Sequence, residues 1–447
     1  MSGLRASSVL PCSQPIKIWR GQGLLPEVRA LVNQCPVLDM HTHLFDPAFG
    51  QLNLFGIDAL LTYHYLVAEY ARASRLSQAE ISEFLQKPKA EQAEMILQKL
   101  FVENTPISEA CRGVLTTLEM LKISIKDSTL PLQPPLPQYR QMLQGVSYQD
   151  HVSRVLQLAN VDRVVMTNDP FVEAERTVWL RGFERDPRFW AALRIDPLFT
   201  NWVRAQEVIQ QDQGKTVGQD NYLGIRKFLG KWVATMKPVY LAASLPATFC
   251  YPAPKEDCCA QLLDQAVLPL AKDLNLPVAL MIGVKRGLNP ALGLAGDGVG
   301  RSKIAAVENL CLNNPEIRFL ITMLHRDNQY ELAVAARKFP NLMPFGCWWF
   351  LNTPSSITEI TRMRFELLGT EFIPQHSDAR VLDQLIYKWQ HSREIIAAVL
   401  TEMYLKLPDS YELSTTQIQR DVHKLLRGNF VNFVGLKSEP LEAGGQD

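Results

Sequence analysis

Two histidines stand one residue apart at the end of an apolar run, in "PVLDMHTHLFDP" at 36–47. Side chains alternate along an extended chain, so His41 and His43 share a face and can offer two imidazoles to one ion. The hard partner for such a pair is a carboxylate, and "PQHSDAR" supplies Asp378, which can also act as a general base, with Arg380 two residues on. The competing role for Asp378 is that of a helix cap. In "LRIDP", Arg194 closes another apolar run and needs an anion, either a substrate carboxylate or phosphate or the neighbouring Asp196. "LHRDNQ" brings His325, either a third nitrogen ligand or a histidine at a helix start. His376 is in phase with Asp378 but lies deeper and reads as structural. "GCWWF" holds Trp348 and Trp349, either core residues or a face on which a ligand stacks. The glycine-rich "GLAGDGVGR" at 293–301 lacks the Lys-Ser/Thr of a phosphate loop and reads as a flexible connection. There is no GxSxG elbow and no Cys-His pairing for a nucleophile.

These residues close short apolar, β-rich runs: 36–43, 161–169, 189–196, 237–246, 276–284, 317–325, 342–350 and 371–378. Stretches with i, i+3, i+4 periodicity separate most of them, such as "NQYELAVAARKF". Near-continuous apolar strands alternating with helices form a parallel sheet covered on both faces, and eight of them predict a closed (β/α)8 TIM-like barrel of the α/β class. Such a barrel carries its chemistry at the C-terminal ends of its strands, which is where the residues above fall. We expect an N-terminal segment at 1–35, the barrel at 36–436 and a C-terminal tail at 437–447. Residues 51–150 interrupt the alternation with several helices and the proline-rich "STLPLQPPLPQYR", and read as a helical insertion serving as a lid.

The 447 residues are 47% hydrophobic, and 46 basic residues balance 46 acidic ones. Without a concentrated basic field, nucleic acid and membrane surfaces are not expected partners. The eight cysteines are scattered and form no CxxC pair, which fits a reduced cytoplasmic setting. No run reaches the roughly 18 apolar residues that span a bilayer.

Read in order, the motifs resemble the uronate isomerase family of the metal-dependent amidohydrolase superfamily. The HxH of His41 and His43 matches the superfamily's opening metal motif, and His64-Tyr65 in "LLTYHYLVAEYARAS" looks like the family's substrate-reaching His-Tyr pair. Arg194, Arg286 in "MIGVKRG", "LHRDNQ", "GCWWF" and the Asp378-x-Arg380 pair follow the family's later strand ends, and "LLRGNFVNFVGL" its closing helix. The resemblance spans about residues 25–436. It implies one divalent metal, often assigned zinc, held by His41, His43 and Asp378, with His325 as a further candidate. It also implies a small sugar acid as partner, bound by His64, Arg194, Arg286, Arg380 and Trp348, and a homo-oligomer is possible. Asp378, Tyr65 and His43 would then carry the interconversion of an aldouronate and its ketose through an enediol. Two positions depart from the family's pattern: Met281 stands for its fifth-strand histidine, and "AASLP" (Ala242 to Pro246) for its polar fourth-strand end. Two other readings therefore stand beside the isomerase: a metal-dependent hydrolase of a carboxylated sugar, lactone or amide, and a barrel that binds without catalysis.

Overall fold

The computed structural model describes residues 18–19, 23–123, 136–214, 218–252, 254 and 261–436. The expected tail at 437–447, most of the N-terminal segment and most of the proline-rich stretch lie outside the described residues. Seven strands, β1 (Val37–Thr42), β2 (Val161–Asn168), β3 (Phe189–Arg194), β4 (Leu241–Pro246), β5 (Val278–Lys285), β6 (Phe319–Met323) and β7 (Leu342–Pro344), pair in chain order. All six pairings are parallel. Helices such as Glu173–Arg181, Tyr222–Met236, Arg326–Ala336 and Pro354–Leu368 fill the connections.

The eighth position is an extended segment rather than a ladder strand. A single parallel bridge joins Phe345 to Ile373. Farther along, Asp378 N donates to His41 O at 3.1 Å and His43 N to Ala379 O at 2.8 Å, so the sheet closes on β1. Two residues break the ladder in between: Pro374 has no N–H to donate, and Asp378 adopts φ 50°.

Alternation along the strands builds two cores. Along β5, Val278, Leu280 and Ile282 face the helices, while Ala279, Met281 and Val284 join Met40, Val165, Ala192 and Ala242 inside the barrel. Phe430 and Val434 of the final helix Asn429–Val434 belong to this inner cluster.

The stretch between β1 and β2 is helical, including His64–Ala73, Gln78–Gln86, Lys89–Leu97 and Glu109–Met120. Ser77 and Glu80 start Gln78–Gln86 with a reciprocal capping box, the S-x-x-E signature of a helix N-terminus. One buried carboxylate ties this insertion to the barrel. Asp383 accepts from Gly56 N at 2.7 Å, from His151 Nε2 at 2.8 Å and from the Tyr139 hydroxyl. Among the described residues, no helix is long and apolar enough to cross a membrane.

Candidate metal centre

Strict alternation would turn His41 outward with Val37 and Asp39. The pairing register prevents this: β1 advances three residues from Asp39 to Thr42 while β2 advances two, from Val164 to Met166. This extra residue is a β-bulge, which re-aims the following side chain. His41 Nδ1 then lies 3.3 Å from the hydroxyl of Tyr240, an inner-core residue on the approach to β4. That hydroxyl spends its single proton on Met40 O at 2.6 Å, so it accepts from His41. His43 repeats the arrangement. Its Nδ1 is 2.9 Å from Thr167 Oγ1, whose proton goes to Thr42 O at 2.9 Å.

Both rings therefore carry their proton on Nδ1 and turn a bare Nε2 inward. The two Nε2 atoms lie 3.7 Å and 3.2 Å from Asp378 Oδ1. The three candidate ligand atoms lie within 4.8 Å of one another. Among the described residues, His41 Nε2 and Asp378 Oδ1 are buried without a hydrogen-bond partner, and His43 Nε2 accepts from Arg380 Nη2 at 3.3 Å. Three inward lone pairs repel one another unless a cation sits among them, and hydroxyls that fix the ring tautomers are the usual support of metal-binding histidines. The donor set fits a divalent metal.

Electrostatics agree with this assignment. Burial lowers the His41 pKa to about 4 and that of His43 well below its usual value, so both are neutral ligands. Burial pushes the Asp378 carboxyl up, but the groups around it, Arg380 among them, leave it well below the carboxylate range. Because both rings are uncharged, the fixed positive charge beside it is that of Arg380.

A cavity of about 270 Å³ is walled by His64, Tyr65, Glu109, Trp349, Tyr387 and Lys388, and Lys388 connects it to the metal group by donating to the carbonyl of Ser377, next to Asp378. Five of these six walls come from the insertion's helices or the helix Gln384–Leu405, which thus wall the mouth. His64 Nε2, Tyr65 Oη and Trp349 Nε1 are buried with no hydrogen-bond partner among the described residues. Burial lowers His64 to about 3 and raises Tyr65 well above its usual value, so both are uncharged.

Other expected residues have different surroundings. His325 is not in the metal group: it caps the helix Arg326–Ala336, its Nδ1 accepting from Asp327 N at 3.2 Å. Arg286 is exposed and paired with Asp297, at the rim rather than in the buried site, because it lies beyond the end of β5. Arg194 combines both roles read from the sequence. Its Nε and Nη2 bind Asp196 at 3.0 and 3.1 Å, which leaves Nη1 uncommitted among the described residues, and it contributes to the electrostatics of His41 and His43. Trp348 is buried in the inner core; it is Trp349, turned by a φ of 49°, that lines the cavity. Met281 packs in the inner core, and within "AASLP" the Ser244 N–H donates to Asp196 Oδ1 at 3.2 Å. The glycine-rich loop folds back on the sheet, Gly298–Val299 pairing antiparallel with Val284 and Lys285.

Sequence reasoning left Thr167, Tyr240 and Lys388 unassigned. Thr167 sits at an inward position of β2, and Tyr240 just before β4 is in phase with the inward Ala242, a signal that strand phase alone could have flagged. Lys388 is a lone cation in the apolar "LIYKW".

No family model and no curated protein matches the chain. A solved uronate isomerase from Bacillus halodurans C-125 is 48% identical, covers 93% of this chain and 96% of its own, and superposes with a TM-score of 0.87. A uronate isomerase from Thermotoga maritima is 16% identical over 94% of this chain and 100% of its own, with a TM-score of 0.74. A glucuronate isomerase from Caulobacter crescentus is 15% identical over 93% of this chain and 95% of its own, with a TM-score of 0.72. The latter two bear on the fold alone.

Proposed function

This chain belongs to the uronate isomerase family, and on that premise we propose that it interconverts an aldouronate, such as glucuronate or galacturonate, and its ketouronate. The observation that carries the reading is the near-half identity with a uronate isomerase along almost the whole chain. It decides among the three readings of the sequence in favour of the isomerase.

His41, His43 and Asp378 would hold one zinc ion, since two imidazoles and a carboxylate are the donors of a catalytic zinc with an open position. When bound, the ion supplies Lewis-acid polarisation of the sugar's oxygens. The protein's own groups divide the proton work by their charge states. Asp378, held ionised, takes the proton from C2 and returns it to C1. Tyr65 keeps its proton, so it gives it to O1 as the C1 carbonyl becomes a hydroxyl, and takes the O2 proton as the ketone forms. Arg194 Nη1 and Arg380 receive the sugar's carboxylate and hydroxyls, while His64 and Trp349 offer unpartnered nitrogens to the rest. The insertion that walls the cavity serves as the lid that keeps water from the enediol.

The test is direct. The zinc-loaded protein is incubated with glucuronate and with galacturonate, and NMR follows the aldose and ketose signals. Conversion of either acid to an equilibrium mixture is expected; no conversion of any uronate by protein carrying one zinc would overturn the reading.

A further inference from the structure

The helix Gln384–Leu405 buries a lysine: Lys388 is 4% exposed. A buried ammonium needs acceptors, and among the described residues it forms no salt bridge. Its Nζ donates instead to the backbone carbonyl of Ser377 at 2.5 Å. The neighbouring Trp389 donates its Nε1 to Asp39 Oδ2 at 2.8 Å, and Asp39 Oδ1 accepts from Ser377 N at 3.1 Å. Two consecutive residues of one helix therefore hold both backbone polar groups of Ser377, one directly and one through Asp39. The next residue is Asp378, whose φ of 50° is one that a non-glycine residue keeps only where its surroundings enforce it. The turn is also pinned by Asp378 N to His41 O and by Ala379 N to Ser377 Oγ at 3.2 Å.

We infer that Lys388 is a positioning residue: by gripping the Ser377 carbonyl it sets the left-handed turn that aims Asp378 Oδ1 at His41 and His43. The charges around it suit this part. Burial works against the ammonium, while Asp378, Asp39 and Glu109 favour it and Arg380 opposes it. Lys388 also lines the cavity, with its Nζ 5.9 Å from the centre of the Tyr65 ring. The inference rests on the proposed isomerase only where turnover is read, because metal binding reports on the turn by itself.

Lys388→Met keeps the stem and removes the ammonium, and Lys388→Ala opens a space that ethylammonium can enter from the cavity. Zinc affinity is read by chelator competition, and kcat and KM with whichever uronate the parent converts. Lys388→Met should unfold cooperatively, bind zinc at least tenfold more weakly and lose at least tenfold in kcat, with KM within threefold of the parent's. Ethylammonium should restore zinc affinity and kcat to Lys388→Ala in a saturable way. Parental zinc affinity in folded Lys388→Met overturns the inference, as does a raised KM at parental kcat, which would make the ammonium a substrate contact. So does a Lys388→Met that fails to fold even with zinc present, since the lysine would then serve the fold as a whole. If the parent converts no uronate, the zinc measurement still decides the role of Lys388, separately from the fate of the isomerase reading.

Discussion

His43 Nε2 and Asp378 Oδ1 face each other at 3.2 Å with no proton to join them, because the ring's proton is committed to Thr167 on the opposite side. The pair is a site built for a cation. A double variant, His41→Ala/His43→Ala, should therefore fall from about one bound zinc per chain to essentially none by elemental analysis. Unchanged metal content would move the site elsewhere.

The hydroxyls behind the rings should matter nearly as much as their distance from the ion allows. Thr167→Val keeps the shape and removes the acceptor that fixes the His43 tautomer. Loss of such a support weakens metal binding by roughly 10–100-fold. Tyr240→Phe should act the same way through His41. Chelator competition reads both variants, and parental affinity in both would remove the tautomer argument.

Asp383 should be a point of failure for the insertion. Burial raises its carboxyl, but His151, Tyr139 and the Gly56 N–H outweigh this and leave the pKa below the usual carboxylate value. Asp383→Ala leaves these buried donors without an acceptor, at a cost of about 3–5 kcal/mol when one partner of a buried pair is removed. Chemical denaturation should register that loss, and limited proteolysis should cut the insertion first. A loss under about 1 kcal/mol would contradict the staple.

Burial also makes stability depend on pH. Desolvation is the largest influence on Glu175 and raises its carboxyl from 4.5 to about 7, against the hydrogen bond from Asp169 N. Its folded pKa lies above its unfolded one, so the native state binds the proton more tightly between these values. The contribution is fully present below pH 4.5 and is lost as pH rises towards 7, by about 3 kcal/mol at most. Glu175→Gln should flatten that slope in denaturation curves at pH 5 and 7; an unaltered slope would assign it to other groups.

Much of this site could be read from residue types alone. The strand runs were legible because a parallel barrel buries both faces of each strand, and His41, His43 and Asp378 because few residue types bind a metal. The eighth strand was harder: "EFIPQHSD" has the apolar content of a strand, but Pro374 and the turned Asp378 prevent a ladder. Which tryptophan meets the cavity depends on one positive φ at Trp349, and no sequence period encodes it. The inward aim of His41 depends on a bulge, so alternation gave the right shared face for a different reason. Arg286 and His325 carry the right chemistry, but each lies past its strand's end, where loop geometry and helix capping decide direction. Lys388 was invisible because its partner is a backbone carbonyl, which every residue has.

The central claim is that Asp378 and Tyr65 move a proton between C2 and C1 beside the metal centre. The measurement that reaches it most directly is NMR of glucuronate and galacturonate incubated with the zinc-loaded protein in deuterated water. The account predicts solvent deuterium at C2 of the recovered aldose and at C1 of the ketose, both abolished in Asp378→Asn. Absence of deuterium from both carbons for every uronate, in protein carrying one zinc per chain, would contradict it.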